Sequence, residues 1–174
     1  MRIKEIALEK ILSKEMVMFL TLSIVSIFAP FFGAQAVTGP LVNATLFLTV
    51  IFLGVKGAVL IAVFPSIVAL AVGFLPFIMA PFVPFIITGN IVLVIIFNYF
   101  YKNFWKGVIL SSFFKFLFLL ASAHVVSNFL LSGKIATQIT TIMSWPQFAT
   151  ALVGGVIAYF VLQMFQIMRR GTSL

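Results

Sequence analysis

The chain has 174 residues, of which 63% are hydrophobic and only 8% are charged. A soluble domain typically has about 45–50% apolar and about 25% charged residues, so this composition excludes an ordinary soluble protein. The net charge is +8, and all three acidic residues (Glu5, Glu9 and Glu15) precede residue 16. With no Asp, no Cys and a single His, the chain lacks the residues for carboxylate-based hydrolysis, membrane proton relays, disulfides and thiolate metal sites.

Long apolar runs predict an all-α membrane protein with six transmembrane helices. A helix needs roughly 20 apolar residues to cross the hydrocarbon core, and the continuous rather than alternating runs favour helices over a barrel. Three prolines, Pro76, Pro81 and Pro84, predict a loop or re-entrant elbow over residues 75–81. The predicted spans are residues 16–33, 41–55, 58–74, 82–101, 107–131 and 147–168.

The segment before the first span has charged and apolar residues at helical spacing. It predicts a short amphipathic helix on the cytoplasmic surface over residues 1–15, followed by one membrane domain over 16–170 and a tail over 171–174. The sequence Ala-Gln-Ala at residues 34–36 resembles a signal-cleavage site. The apolar run before it is longer than a usual signal core, which favours a retained helix.

The basic residues predict the orientation of the chain. With six spans, a single basic residue, Lys134, falls in the loops of one side. Because Lys and Arg collect in cytoplasmic loops, we expect both termini to be cytoplasmic. Such a distribution offers no basic patch to nucleic acid. The basic residues of the cytoplasmic side are Arg2, Lys4, Lys10, Lys14, Lys56, Lys102, Lys106, Arg169 and Arg170.

Polar residues inside the spans are the candidates for ligand binding, because they are expensive in lipid. Lys115 lies nine residues after Lys106, roughly 13 Å into the membrane at 1.5 Å per residue. No acidic residue within the spans can pair with it, so it snorkels, hydrogen-bonds to carbonyls or to Asn90 at a similar depth, loses its proton, or meets an anionic ligand. His124 lies on the opposite face of the same helix, in a stripe with Asn128, where a hydrogen bond to a neighbouring helix is the alternative role.

Other polar residues near the outer loops are expected at a similar depth in the membrane. Together they predict an outward-facing pocket for a vitamin-like molecule, with Lys115 favouring an anionic group, and without a metal or a cofactor. The predicted substrate-binding residues are Gln35, Thr38, Asn43, Asn90, Lys115, His124, Asn128, Trp145 and Gln147.

Small residues at four-residue spacing form a second pattern. Such ridges let helix backbones approach closely, either inside one bundle or between subunits. The predicted partner-interface residues are Ala29, Gly33, Ala151, Gly154, Gly155 and Ala158.

Three short segments, together with the architecture, carry a resemblance to a known family. They are the Leu-Gly-Val-Lys-Gly-Ala turn at 53–58, the stretch from Pro84 to Asn90, and the Gly154-Gly155 pair. The whole chain resembles the S components, the substrate-binding subunits, of energy-coupling factor (ECF) transporters. The resemblance implies a non-enzymatic membrane protein that captures a micronutrient from outside. It also implies a transmembrane coupling subunit and two cytoplasmic ATPases as partners, and release by toppling.

Two departures from the family pattern limit which residue roles of the family can be assigned to this chain. The inner half of the first span has Thr21, Ser23 and Ser26 where family members often show an Ala-x3-Ala pair, so the docking face is not assigned. The His near the N-terminus of the metal-transporting branch is absent, so nickel or cobalt is not expected.

Two other functions remain open from the residues. A structural or assembly subunit would fill the outer pocket with packed side chains. A small ion-coupled carrier usually needs a membrane carboxylate, which this chain lacks.

Overall fold

The computed structural model describes residues 14–130 and 139–171, and the side chains of 14–127 and 139–167. Within these ranges all regular structure is helical, as the sequence predicted. The predicted surface helix over 1–15 and the tail over 171–174 lie almost entirely outside the described residues. The five long helices are α1 (Lys14–Phe28), α2 (Gln35–Ala71), α3 (Val83–Phe100), α4 (Phe104–Leu130) and α5 (Trp145–Gly171).

Five helical segments of the described chain are long and apolar enough to cross a membrane. The longest, α2, has 37 residues but is not a continuous helix, because Gly54 has φ 74° and ψ −175°. Only glycine adopts this backbone region readily. The residue therefore divides α2 into two halves, α2a (35–53) and α2b (55–71), which correspond to the predicted second and third spans.

The two halves of α2 fold back on each other at Gly54. Asn90 accepts a hydrogen bond from Lys115, which also donates to Asn43 of α2a, and Asn90 itself donates to the carbonyl of Ala62 in α2b. In a straight helix, residues 43 and 62 would be about 28 Å apart. Residue 43 bonds to Lys115 and residue 62 to Asn90, and these two side chains are bonded to each other, so α2a and α2b form an antiparallel pair with a tight turn beside Lys56.

Two segments differ from the sequence-based boundaries. α2 begins at Gln35 rather than at residue 41, because the carbonyl of Ala34 accepts hydrogen bonds from the N–H groups of Val37 and Thr38 and starts the helix there. Small polar residues and Pro40 favoured a loop by composition, but Pro40 lies inside the helix, where it removes one backbone hydrogen bond without ending the helix. The proline-rich elbow contains a 3₁₀ helix, Phe77–Phe82.

The lysine-rich end of the bundle is closed by an aromatic plug of Phe47, Phe97, Phe104 and Tyr159. The ring centroids of Phe47 and Phe97 are 4.7 Å apart, those of Phe97 and Phe104 are 5.7 Å apart, and those of Phe104 and Tyr159 are also 5.7 Å apart. Phe47 and Phe97 are fully buried. These helices therefore meet without a passage between them at this end.

Small residues let α5 approach α2 and α4. A Cβ atom added at Gly154 would lie 2.7 Å from Asn43 Cβ and 2.9 Å from Pro40 O, and one added at Gly155 would collide with the side chain of Val108. The glycine pair is thus required by packing within the monomer.

The other small residues of the predicted partner interface occupy two kinds of position. Ala29, Ala151 and Ala158 are buried within the bundle. Gly33 is exposed at the end of the 3₁₀ helix Ala29–Phe32, with φ 69°. Packing within the monomer accounts for the buried members, and a contact with a partner subunit stays a prediction.

Candidate functional site

Lys115 lies in the middle of the bundle and is 3% exposed, so it does not snorkel to the surface. Its Nζ atom donates to Asn43 Oδ1 at 2.6 Å and to Asn90 Oδ1 at 2.8 Å. Asn90 is oriented in turn by the hydrogen bond from its Nδ2 atom to Ala62 O, at 3.3 Å. Three helices therefore hold one ammonium group at a fixed point.

As an ammonium, Lys115 has hydrogen-bond partners but no counter-charge within the described part of the chain. The sequence has no acidic residue after Glu15, and Asn43 and Asn90 supply neutral amide oxygens. An ammonium has three donors, and the third donor of Lys115 reaches no hydrogen-bond acceptor among residues 14–127 and 139–167. A buried charge without a counter-charge is unfavourable unless another interaction offsets the free-energy cost of removing the charge from water.

Lys115, Asn43 and Asn90 form one wall of a cavity of about 100 Å³. This ligand cavity lies on the side of the bundle away from the aromatic plug, because its other walls come from the helix ends at that side. Its lining includes the polar side chains Gln35, Thr38, Ser66 and Gln147 and the thioethers of Met79 and Met143.

Two of the polar side chains in the lining are oriented by backbone carbonyls. Thr38 Oγ1 donates to Ala29 O at 3.1 Å, which ties the start of α2 to the end of the first span. Gln147 Nε2 donates to Ile142 O at 3.4 Å and is itself buried. The cavity therefore has ordered polar groups on the wall opposite Lys115 as well.

Six of the nine predicted binding residues line the cavity. They are Gln35, Thr38, Asn43, Asn90, Lys115 and Gln147. His124 instead lies on the exposed side of α4, and the side chain of Asn128 is outside the described residues. Trp145 is 66% exposed and lines a different depression.

That second depression is an apolar groove of about 510 Å³ on the outer surface of the bundle, between the start of α2 and the start of α5. Gln35 and Ile142 belong to its wall and also to the wall of the ligand cavity. The rest of its lining is mostly apolar and includes Ala36, Trp145, Ala149 and Val153.

Sequence reasoning missed several parts of the cavity. No polar signal strong enough to stand out in a chain this apolar came from Ser66, Met79 or Met143. Ser66 does follow Ala62 at the four-residue spacing of small residues in α2b. The carbonyl of Ala62 that orients Asn90 has no signature in the sequence, because every residue has one.

Comparison of the chain with protein-family models, with curated proteins and with solved structures finds no match. Among the described residues, no group of three or more His, Asp or Glu side chains is placed to hold a metal ion. Function is therefore argued from the cavity itself.

Proposed function

We propose that this chain is a membrane-embedded binding subunit that captures a small anionic molecule, and that it serves as the S component of an ECF-type importer. The observation that carries the proposal is Lys115, a buried ammonium on the wall of a cavity, with two neutral oxygens as partners and one donor unused. An anion in the cavity would supply the missing counter-charge. The polar side chains around Gln147 would contact polar atoms close to that anionic group.

The proposed topology follows from the fold-back at Gly54. Counting α2a and α2b as separate crossings gives six spans, with both ends of the described chain on the same side. Lys14, Lys56, Lys102 and Lys106 then lie at the end of the bundle that the aromatic plug closes, which by the positive-inside rule is cytoplasmic. The ligand cavity faces the opposite side of the cell membrane.

The aromatic plug favours release without a channel through the bundle. Phe47 and Phe97 fill the space between the wall of Lys115 and the cytoplasmic end, so a ligand cannot leave in that direction while the helices stay packed. Reorientation of the whole subunit against a coupling subunit, powered by two ATPases, would release it without repacking. This supports a binding subunit over a self-sufficient carrier or an enzyme.

The proposal is tested by native mass spectrometry of the protein extracted from its own membranes in mild detergent. We expect a small molecule to accompany the wild-type protein and Lys102→Met, a matched control at an exposed lysine, and to be lost from Lys115→Met. A ligand-free wild-type protein would favour the alternative of a structural subunit, in which the two asparagines serve only to satisfy Lys115.

The partner proposal is tested separately by affinity purification from native membranes. We expect a coupling membrane protein and two different or identical ATPase chains to be recovered in stoichiometric amounts. Recovery of the chain without any ATPase would contradict the importer assignment while leaving ligand binding intact.

A further inference from the structure

The ligand cavity is too small for a whole vitamin-sized molecule. An apolar protein cavity of about 150 Å³ holds one benzene, and pockets for drug-sized ligands are about 300–1,000 Å³. The volume beside Lys115 is about 100 Å³. It therefore suits a head group of a few atoms rather than a complete ligand.

The apolar groove offers the remaining space, and it shares two lining residues with the cavity. Gln35 and Ile142 line both volumes, and both are exposed rather than locked in the core. Exposed side chains change rotamer within picoseconds to nanoseconds. A ligand that occupied both volumes would require movement of these shared side chains, to join a polar chamber of about 100 Å³ to an apolar one of about 510 Å³.

The two volumes differ sharply in chemistry. The cavity has the ammonium of Lys115, which favours a negative charge. A single ammonium matches a monoanion better than a dianion. The groove has a mostly apolar lining on the surface of the bundle, beside the amphipathic ring of Trp145.

We propose that the ligand is a single-chain amphiphilic carboxylate. Its carboxylate accepts the unused donor of Lys115, and its aliphatic part passes between Gln35 and Ile142 into the groove. This inference rests on the proposed function, because it specifies the ligand class of the same site.

The test measures the binding of straight-chain carboxylates to the full chain in lipid nanodiscs by titration calorimetry, with empty nanodiscs subtracted. The probes are butanoate, octanoate and dodecanoate, with dodecanol as the uncharged control. We expect affinity to rise about fourfold for each methylene that enters the groove. Lys115→Met should weaken dodecanoate binding tenfold or more and leave dodecanol unchanged.

A groove variant separates the tail from the head. Ala149→Phe fills the apolar groove and should reduce the dependence on chain length, while butanoate binding stays within twofold of wild type. Ala121→Phe, on the exposed side of α4, is the matched control and should retain the full dependence.

Each failure has a distinct meaning. Equal affinity for butanoate and dodecanoate, both lost in Lys115→Met, would overturn the amphiphile and leave the proposed anion-binding function standing. A Lys115-dependent native ligand combined with no binding of any carboxylate probe would also overturn only the ligand class. Absence of both a native ligand and probe binding would overturn the ligand class and the proposed function together.

Discussion

Replacing Lys115 by Met together with Asn43→Leu and Asn90→Leu should make the protein more stable, although it should abolish ligand binding. The two asparagines are replaced as well because Lys115→Met alone would leave their buried Oδ1 atoms without a donor, at a cost of about 1–3 kcal/mol each. The folded protein buries the ammonium without a counter-charge, whereas in the unfolded, detergent-bound chain the lysine can reach water. A lysine at the centre of a membrane helix costs about 2.5–3.5 kcal/mol. Its two hydrogen bonds, to Asn43 and Asn90, return about 0.6 kcal/mol each by the average found in membrane proteins.

The free energy of unfolding should therefore rise by about 1–2 kcal/mol. The measurement is unfolding by SDS titration in mixed micelles, followed by helical circular dichroism. Lys102→Met, which removes an exposed lysine, should change stability by less than about 0.5 kcal/mol. A loss of more than about 1 kcal/mol in the triple variant would refute the reasoning, because replacing a whole buried polar cluster by apolar residues of similar volume is neutral or stabilising unless the cluster itself stabilises the fold.

Three further predictions concern two glycines and the orientation of the chain in the membrane. Gly154→Ala should lower the free energy of unfolding by about 1–2 kcal/mol in the same SDS titration, since overpacking against backbone atoms outweighs the gain in helix propensity. Gly89→Ala meets only the side chain of Leu119, at 3.0 Å or more, and should lose less stability than Gly154→Ala; equal losses would contradict the packing argument. Gly54→Ala should cost about 1–3 kcal/mol through strain alone, so unchanged stability would speak against the fold-back. Because the chain has no Cys, Lys56→Cys and Phe77→Cys give clean single labels. We expect an impermeant maleimide to label position 77 from outside intact cells and position 56 only after lysis, and the reverse would invert the topology.

Hydropathy and depth were sufficient to predict the helical membrane fold and the neighbourhood of Lys115. The lengths of the apolar runs located the helices, and equal depth correctly allowed Lys115 to meet Asn90. The Gly54 turn was also visible, because glycine beside a lone lysine interrupts an otherwise continuous apolar run. These features depend on the depth of each residue along the membrane normal, which the sequence encodes directly.

The azimuth of each helix could not be predicted in the same way. Depth placed His124 with the outer pocket, yet the residue lies on the exposed side of α4. The depth argument also did not pair Asn43 with Lys115, although the two side chains are hydrogen-bonded. With mostly apolar residues on all faces, these helices lack the amphipathic pattern that would show which side faces the core. Packing details such as the contact of Gly154 with Asn43 decide it instead.

The fold-back at Gly54 has a consequence for how the chain enters the membrane. No connecting loop separates α2a from α2b, and Lys56 is the only charged residue between residues 35 and 71. In the proposed topology, α2a cannot be inserted before α2b without leaving the apolar α2b exposed to water. We therefore expect them to enter the bilayer together as a helical hairpin, with Lys56 held on the side where the chain is synthesised.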